Sequence, residues 1–72
     1  MRLKELREEE GLKQADLARL LNIKQNTYSQ YETEQRQIPI NVLIKLAKYY
    51  NVSVDYLLNL TDTVEPYPRK IK

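Results

Sequence analysis

Apolar side chains recur along this chain at intervals of three and four residues, the spacing that places them on one face of an α-helix. Gly11, the only glycine, and Asn22 interrupt this pattern, and both tolerate the left-handed backbone that commonly ends a helix. The pattern predicts an all-α fold of five helices without a sheet. The expected helices cover about 2–10, 14–21, 25–33 and 39–50, and a short fifth helix begins after the N-cap residue Ser53.

The apolar faces of these helices are expected to form one core. Helix 4 is expected to turn one face inward, formed by Ile40, Leu43, Ile44, Ala47 and Tyr50. The remaining segment, 61–72, contains two prolines, mixed charges and no helical period. We therefore expect a single domain over 1–60 and an extended or disordered tail over 61–72.

Helix 3 has a polar face that is unusually rich in amides. At about 100° per residue, one side of the helix carries the residues that we call the amide stripe: Gln25, Asn26, Ser29 and Gln30. Tyr28 and Tyr31 fall on the opposite side, where we expect them to be buried. Gln and Asn amides pair bidentately with adenine N6 and N7, each good pair contributing about 1–3 kcal/mol of discrimination. The stripe therefore suits base contacts in a DNA major groove, with a preference for A·T pairs.

Composition excludes several classes of protein. A chain of 72 residues holds one small domain, and without Cys or His it lacks the side chains of zinc fingers and most transition-metal sites. We find no catalytic motif, no glycine-rich phosphate loop and no sign of a cofactor or small-molecule ligand. No apolar run is long enough to span a membrane and the amino terminus is charged, so a cytoplasmic protein is expected. The formal charge of +2 is too small to indicate whether the protein binds nucleic acid.

Three stretches of the chain resemble the Cro/CI-type (XRE-like) helix-turn-helix family, which includes the DNA-binding domains of lambdoid phage repressors. They run from Leu3 to Gln14, from Gln14 to Glu32 and from Val52 to Leu58. The resemblance implies that helices 2 and 3 form the helix-turn-helix and that helix 3 enters the major groove. It also implies that the amide stripe faces base edges, and that Gln14 contacts a phosphate or a neighbouring glutamine.

Basic residues at helix ends and loops are candidates for phosphate contacts: Lys13, Lys24 and Arg36. Both lysines stand at N-cap positions where the family usually has Ser or Thr, and a lysine there forfeits the cap and opposes the helix dipole. We expect approaching phosphates to offset that loss. Arg7 and Glu32 match positions that often form a semi-buried ion pair in the family. Thr33-Glu34 replaces the usual Asn-Gly, which brings an acid near the expected DNA surface.

The favoured function is that of a sequence-specific regulator of transcription, a repressor that binds a double-stranded DNA operator as a homodimer. It would be encoded by a bacterium or phage and act at the nucleoid. The alternative is an antitoxin-like protein-binding module with secondary operator binding, and an enzyme is the poorest fit. Exposed apolar residues near helix 5, such as Tyr56 and Leu60, are candidates for the dimer surface.

Overall fold

The computed structural model describes residues 1–66, and these residues form five α-helices and no strand. The helices are α1 (Leu3–Glu9), α2 (Gln14–Leu21), α3 (Gln25–Glu32), α4 (Ile40–Tyr50) and α5 (Val54–Leu57). The all-α prediction is therefore confirmed. The second half of the predicted tail, 67–72, lies outside the described residues.

All five of these helices end in the same hydrogen-bonded turn, the Schellman motif. In each turn a residue with positive φ donates its N–H to the carbonyl three residues back, and the next residue donates to the carbonyl five residues back. The residues with positive φ are Gly11, Asn22, Glu34, Asn51 and Asn59. Glycine and asparagine enter this conformation readily, whereas glutamate does so at a cost. The turns predicted at Gly11 and Asn22 are thus confirmed, and Glu34 is the unexpected member.

The core lies between the inner faces of the helices. Tyr28 and Tyr31 are both buried in it, as the pattern of α3 predicted. The other buried apolar residues are Leu3, Leu6, Leu17, Ala18, Leu21, Leu46, Ala47, Val52 and Leu57. Helix α2 packs chiefly on α3, and α4 packs on α5. Ser53 caps α5 as expected, because its hydroxyl accepts the N–H of Tyr56 at 3.0 Å.

The predicted inner face of α4 is wrong in its rotation about the helix axis. Ile40 is 74% exposed and Ile44 is 43% exposed, although both were expected inside, whereas Leu46 is fully buried. Val42 packs against the core beside Leu46, so the true inner face is rotated by about 60° from the predicted one. The error arose because apolar residues occupy nearly the whole circumference of α4, so periodicity alone does not fix which side turns inward.

The amino terminus is held against the carboxyl-terminal part of the fold. The backbone N–H of Arg2 donates to the Leu57 carbonyl at 2.9 Å, and its side chain pairs with Asp62 at 2.9 Å. The Arg2 guanidinium also lies 4.3 Å from the centre of the Tyr56 ring. Tyr56 is therefore half-buried under an arginine, whereas Leu60 is 71% exposed. Of the two candidate dimer residues, only Leu60 presents a free apolar surface.

Candidate nucleic-acid interface

Helices α2 and α3 are joined by a tight turn that begins at Asn22. Asn22 has φ of 57°, and the Ile23 N–H reaches back to the Ala18 carbonyl at 2.9 Å. Ala18 is buried, and its small side chain suits the close packing of α2 on α3. This turn fixes α3 at a defined angle to α2, which is the geometry of a helix-turn-helix.

The two buried tyrosines decide which side of α3 faces outward. Because Tyr28 and Tyr31 anchor one side in the core, the amide stripe lies on the other. Gln25 and Asn26 are exposed, while Ser29 and Gln30 are half-buried. The structure thus brings all members of the stripe to one accessible surface, as a base-contacting helix requires.

The amino ends of α2 and α3 both lack a side-chain cap. Lys13 and Lys24 occupy the N-cap positions, both are exposed, and neither ammonium group can accept a hydrogen bond. At α2 the missing side-chain cap is partly compensated, because the Asp16 carboxylate accepts a hydrogen bond from the backbone N–H of Lys13 at 2.8 Å. At α3 there is no acidic residue in the first turn. Sequence reasoning missed Asp16, although an acid three residues after an N-cap is half of a capping box.

A buried ion pair joins α1 to the end of α3. Arg7 Nε lies 2.6 Å from Glu32 Oε2, and Arg7 Nη2 lies 3.2 Å from Glu32 Oε1. The Glu32 side chain is only 4% exposed and that of Arg7 is 12% exposed. Gln14 Nε2 also donates to Glu32 Oε1, at 3.0 Å. The structure therefore places Gln14 against the carboxylate that closes α3, which leaves one of its two amide hydrogens for another acceptor.

The ionisation of this cluster favours the charged pair. Burial pushes the pKa of Glu32 upward, but the hydrogen bonds from Arg7 and Gln14, together with the nearby Tyr28 hydroxyl, outweigh burial and hold that pKa below its ordinary value. The hydrogen bond to Glu32 raises the pKa of Arg7. Burial and the neighbouring Glu32 carboxylate raise the pKa of Tyr28. The Tyr28 hydroxyl lies beside the carboxylate without a well-formed hydrogen bond to any described residue.

The loop after α3 brings Arg36 back to the amide stripe. Arg36 Nε donates to Gln30 Oε1 at 3.0 Å, a contact that the sequence did not predict. The loop is folded by the left-handed Glu34, whose carboxylate lies 3.7 Å from the Met1 amino group. Thr33 adds hydrogen bonds from its hydroxyl to the carbonyls of Ser29 and Gln30. Of the expected phosphate contacts, Arg36 is thus the one that touches a residue of the stripe directly.

Residues 1–66 contain neither a membrane-spanning helix nor a cluster of metal-ligating side chains. None of the helices within 1–66 has the length and apolar character needed to cross a membrane. In the same residues, no group of three or more His, Cys, Asp or Glu is arranged to hold a metal ion.

The chain is similar in sequence to known regulators of transcription. The family model described as helix-turn-helix matches residues 3–57. An uncharacterized HTH-type transcriptional regulator of Bacillus subtilis (strain 168), YobD, is 42% identical over 65 residues, which are 90% of this chain and 58% of that protein. The HTH-type transcriptional regulator ImmR of the same organism is 47% identical over 57 residues, which are 79% of this chain and 45% of ImmR.

A more distant relative is the HTH-type transcriptional regulator PrpR of Mycobacterium tuberculosis (strain ATCC 25618 / H37Rv). It is 36% identical over 61 residues, which are 85% of this chain and 13% of PrpR. The chain spans about half the length of the two Bacillus relatives. No solved structure matches the chain significantly.

Proposed function

The chain belongs to the Cro/CI-like (XRE) helix-turn-helix family of DNA-binding transcriptional regulators, and from that membership we propose that it is a sequence-specific repressor. In this proposal α3 lies in the major groove of an operator and the protein binds as a homodimer. The observation that carries the proposal is the two-sided character of α3, which is anchored by buried Tyr28 and Tyr31 and presents the amide stripe outward.

Base recognition is assigned to Gln25, Asn26, Ser29 and Gln30. Their amides and hydroxyl provide both donors and acceptors, which is what the edges of bases in the major groove require. The exposed pair at the start of α3, Gln25 and Asn26, is expected to reach furthest, because the amino-terminal residues of a recognition helix contact base edges.

Phosphate contacts are assigned to residues around the stripe. Lys13 and Lys24 stand at the exposed amino ends of α2 and α3, where the backbone N–H groups of both helices also attract anions. Gln14 keeps one amide hydrogen free for a phosphate after its bond to Glu32. Arg36 Nη1 and Nη2 make no hydrogen bond to residues 1–66 and can reach a phosphate. These contacts would set the position of α3 on the duplex without reading its sequence.

A dimer is proposed because one short helix contacts too few base pairs for useful specificity. Two copies related by a two-fold axis would bind half-sites about 34 Å apart, which is one turn of the DNA helix. The relatives described above are bacterial HTH-type transcriptional regulators. We propose that this chain likewise acts at the nucleoid in the cytoplasm, encoded by a bacterium or a phage.

The deciding experiment is selection of bound sequences from random duplex DNA, followed by affinity measurements at several salt concentrations. We expect an enriched pseudo-palindrome and an affinity that falls steeply with salt. Asn26→Ala should remove the preference at one base position. Asn41 is also exposed but lies outside the stripe, so Asn41→Ala should leave the preference unchanged. Selection that enriches no sequence would contradict the proposal.

The second candidate function is an antitoxin-like module whose main partner is a protein. The observation in its favour is exposed apolar surface, since Ile40, Ile44 and Leu60 all lie outside the core. Failure to enrich any DNA sequence, combined with capture of a toxin encoded beside this gene, would place this function first.

A further inference from the structure

We propose that Arg36 is a positioning residue that fixes the orientation of the Gln30 amide and thereby changes the base that Gln30 selects. This inference rests on the proposed function, because it concerns how α3 recognises an operator. It assigns to Arg36 a part in sequence selection, which a phosphate contact alone does not have.

The position of Arg36 is determined by the backbone and not by a flexible side chain alone. Glu34 takes φ of 60°, and this lets the Gln35 N–H donate to the Gln30 carbonyl at 3.0 Å. The chain therefore reverses directly after α3, and the residue after Gln35 returns beside the side chain of Gln30. Thr33 ties the same turn to the Gln30 carbonyl through its hydroxyl, at 3.3 Å.

The contact determines which end of the amide faces Arg36. A guanidinium nitrogen only donates, so the atom 3.0 Å from Arg36 Nε has to be the amide oxygen of Gln30. The amide nitrogen then points away from Arg36, with both of its hydrogens available. An unbound glutamine turns its amide freely, and Arg36 removes that freedom.

The orientation has a consequence for base choice. Bidentate pairing with adenine uses the amide oxygen as the acceptor of N6–H and the amide nitrogen as the donor to N7. With its oxygen engaged by Arg36, Gln30 presents only the two donor hydrogens of its amide nitrogen. Guanine offers two acceptors, N7 and O6, on its major-groove edge, so Gln30 held by Arg36 should favour guanine where free Gln30 would favour adenine. The preference for A·T pairs expected of the amide stripe would then not extend to Gln30.

The test compares the base preferences of four proteins, the native protein and three single variants, by selection from random duplex DNA. The operator position that Gln30 contacts is identified as the one whose preference disappears in Gln30→Ala. At that position the native protein should prefer guanine, and Arg36→Ala should shift the ratio of guanine to adenine by about tenfold toward adenine. Lys24→Ala removes one positive charge without touching Gln30, so it should weaken binding to all sequences and leave the ratio unchanged.

A double variant separates positioning from direct contact. If Arg36 acts through Gln30, adding Arg36→Ala to Gln30→Ala should not change base preference further. Arg36→Met keeps an unbranched side chain like the aliphatic part of arginine, and it repeats the test if the alanine variant unfolds the loop. The inference would be overturned if both Arg36 variants lost affinity equally for all sequences and the dependence of affinity on salt concentration fell by the amount expected for about one phosphate contact. Failure of the native protein to enrich any sequence would instead overturn the proposed function, and this inference with it.

Discussion

Replacing Glu34 with glycine should stabilise the protein. Glu34 has φ of 60°, and a left-handed backbone costs an ordinary L-residue about 1–2 kcal/mol. Glycine removes that strain but gains about 0.5–1 kcal/mol of conformational freedom in the unfolded chain, which offsets part of the benefit. The ion pair lost to the Met1 amino group is 3.7 Å long and its Glu34 side chain is 65% exposed, so its contribution is small. We therefore expect Glu34→Gly to raise the free energy of unfolding by about 0.5–1 kcal/mol.

Thermal unfolding followed by circular dichroism measures this gain. For a domain of this size we expect the melting temperature to rise by about 2–8 °C in Glu34→Gly. Glu34→Ala is the matched control, because it removes the same charge but keeps the strain of a Cβ in a left-handed turn. Asn51→Gly, at the equivalent turn of α4, should gain less because asparagine already tolerates that conformation. Equal stabilisation by alanine and glycine at position 34 would show that charge, and not backbone strain, controls this turn.

Four further outcomes are expected from denaturation and binding measurements. Glu32→Gln leaves buried Arg7 without its counter-charge and should cost about 3 kcal/mol, whereas Arg19→Met, which breaks only an exposed pair, should cost less than about 0.5 kcal/mol. Folding lowers the pKa of Glu32 from 4.5, so the stability that the Glu32 carboxylate contributes is fully present above pH 4.5 and is lost as the pH falls through the folded pKa. During acid titration, the free energy of unfolding of the native protein should therefore fall more than that of Glu32→Gln. Tyr50→Phe removes a buried hydroxyl that has no partner among residues 1–66 and should stabilise by about 1 kcal/mol; a loss of stability would reveal a missed partner. Lys24→Ser should stabilise the free protein by about 0.5–2 kcal/mol in urea unfolding, because serine can cap α3, and it should weaken operator binding. Stronger binding would refute the idea that Lys24 gives up the helix cap in return for a phosphate contact.

The first three helices were predictable because several local signals agree there. Gly11 and Asn22 end α1 and α2 where the apolar pattern also stops, and Tyr28 and Tyr31 fix the inner side of α3. In these segments local preference and tertiary packing demand the same arrangement. The solvent-facing position of the amide stripe follows from that agreement.

Helix α4 shows where sequence reasoning fails. Its apolar residues surround most of the helix, so packing against α5 and the rest of the core decides that Leu46 turns inward and Ile40 outward. The turn at Glu34 was also not predictable, because glutamate has no preference for a left-handed backbone. Since that turn positions Arg36, the contact between Arg36 and Gln30 was not predictable from the sequence either.

The buried pair of Arg7 and Glu32 limits how this domain can be re-engineered. Under the proposed function, replacing α3 with a helix from another protein would alter DNA specificity, yet the last residue of α3 is bonded to a side chain on α1 and to Gln14 on α2. A donor helix lacking an acid at that position would leave a buried guanidinium behind. Grafts should therefore exchange residues 25–31 and retain Glu32, or move all three partners as one unit.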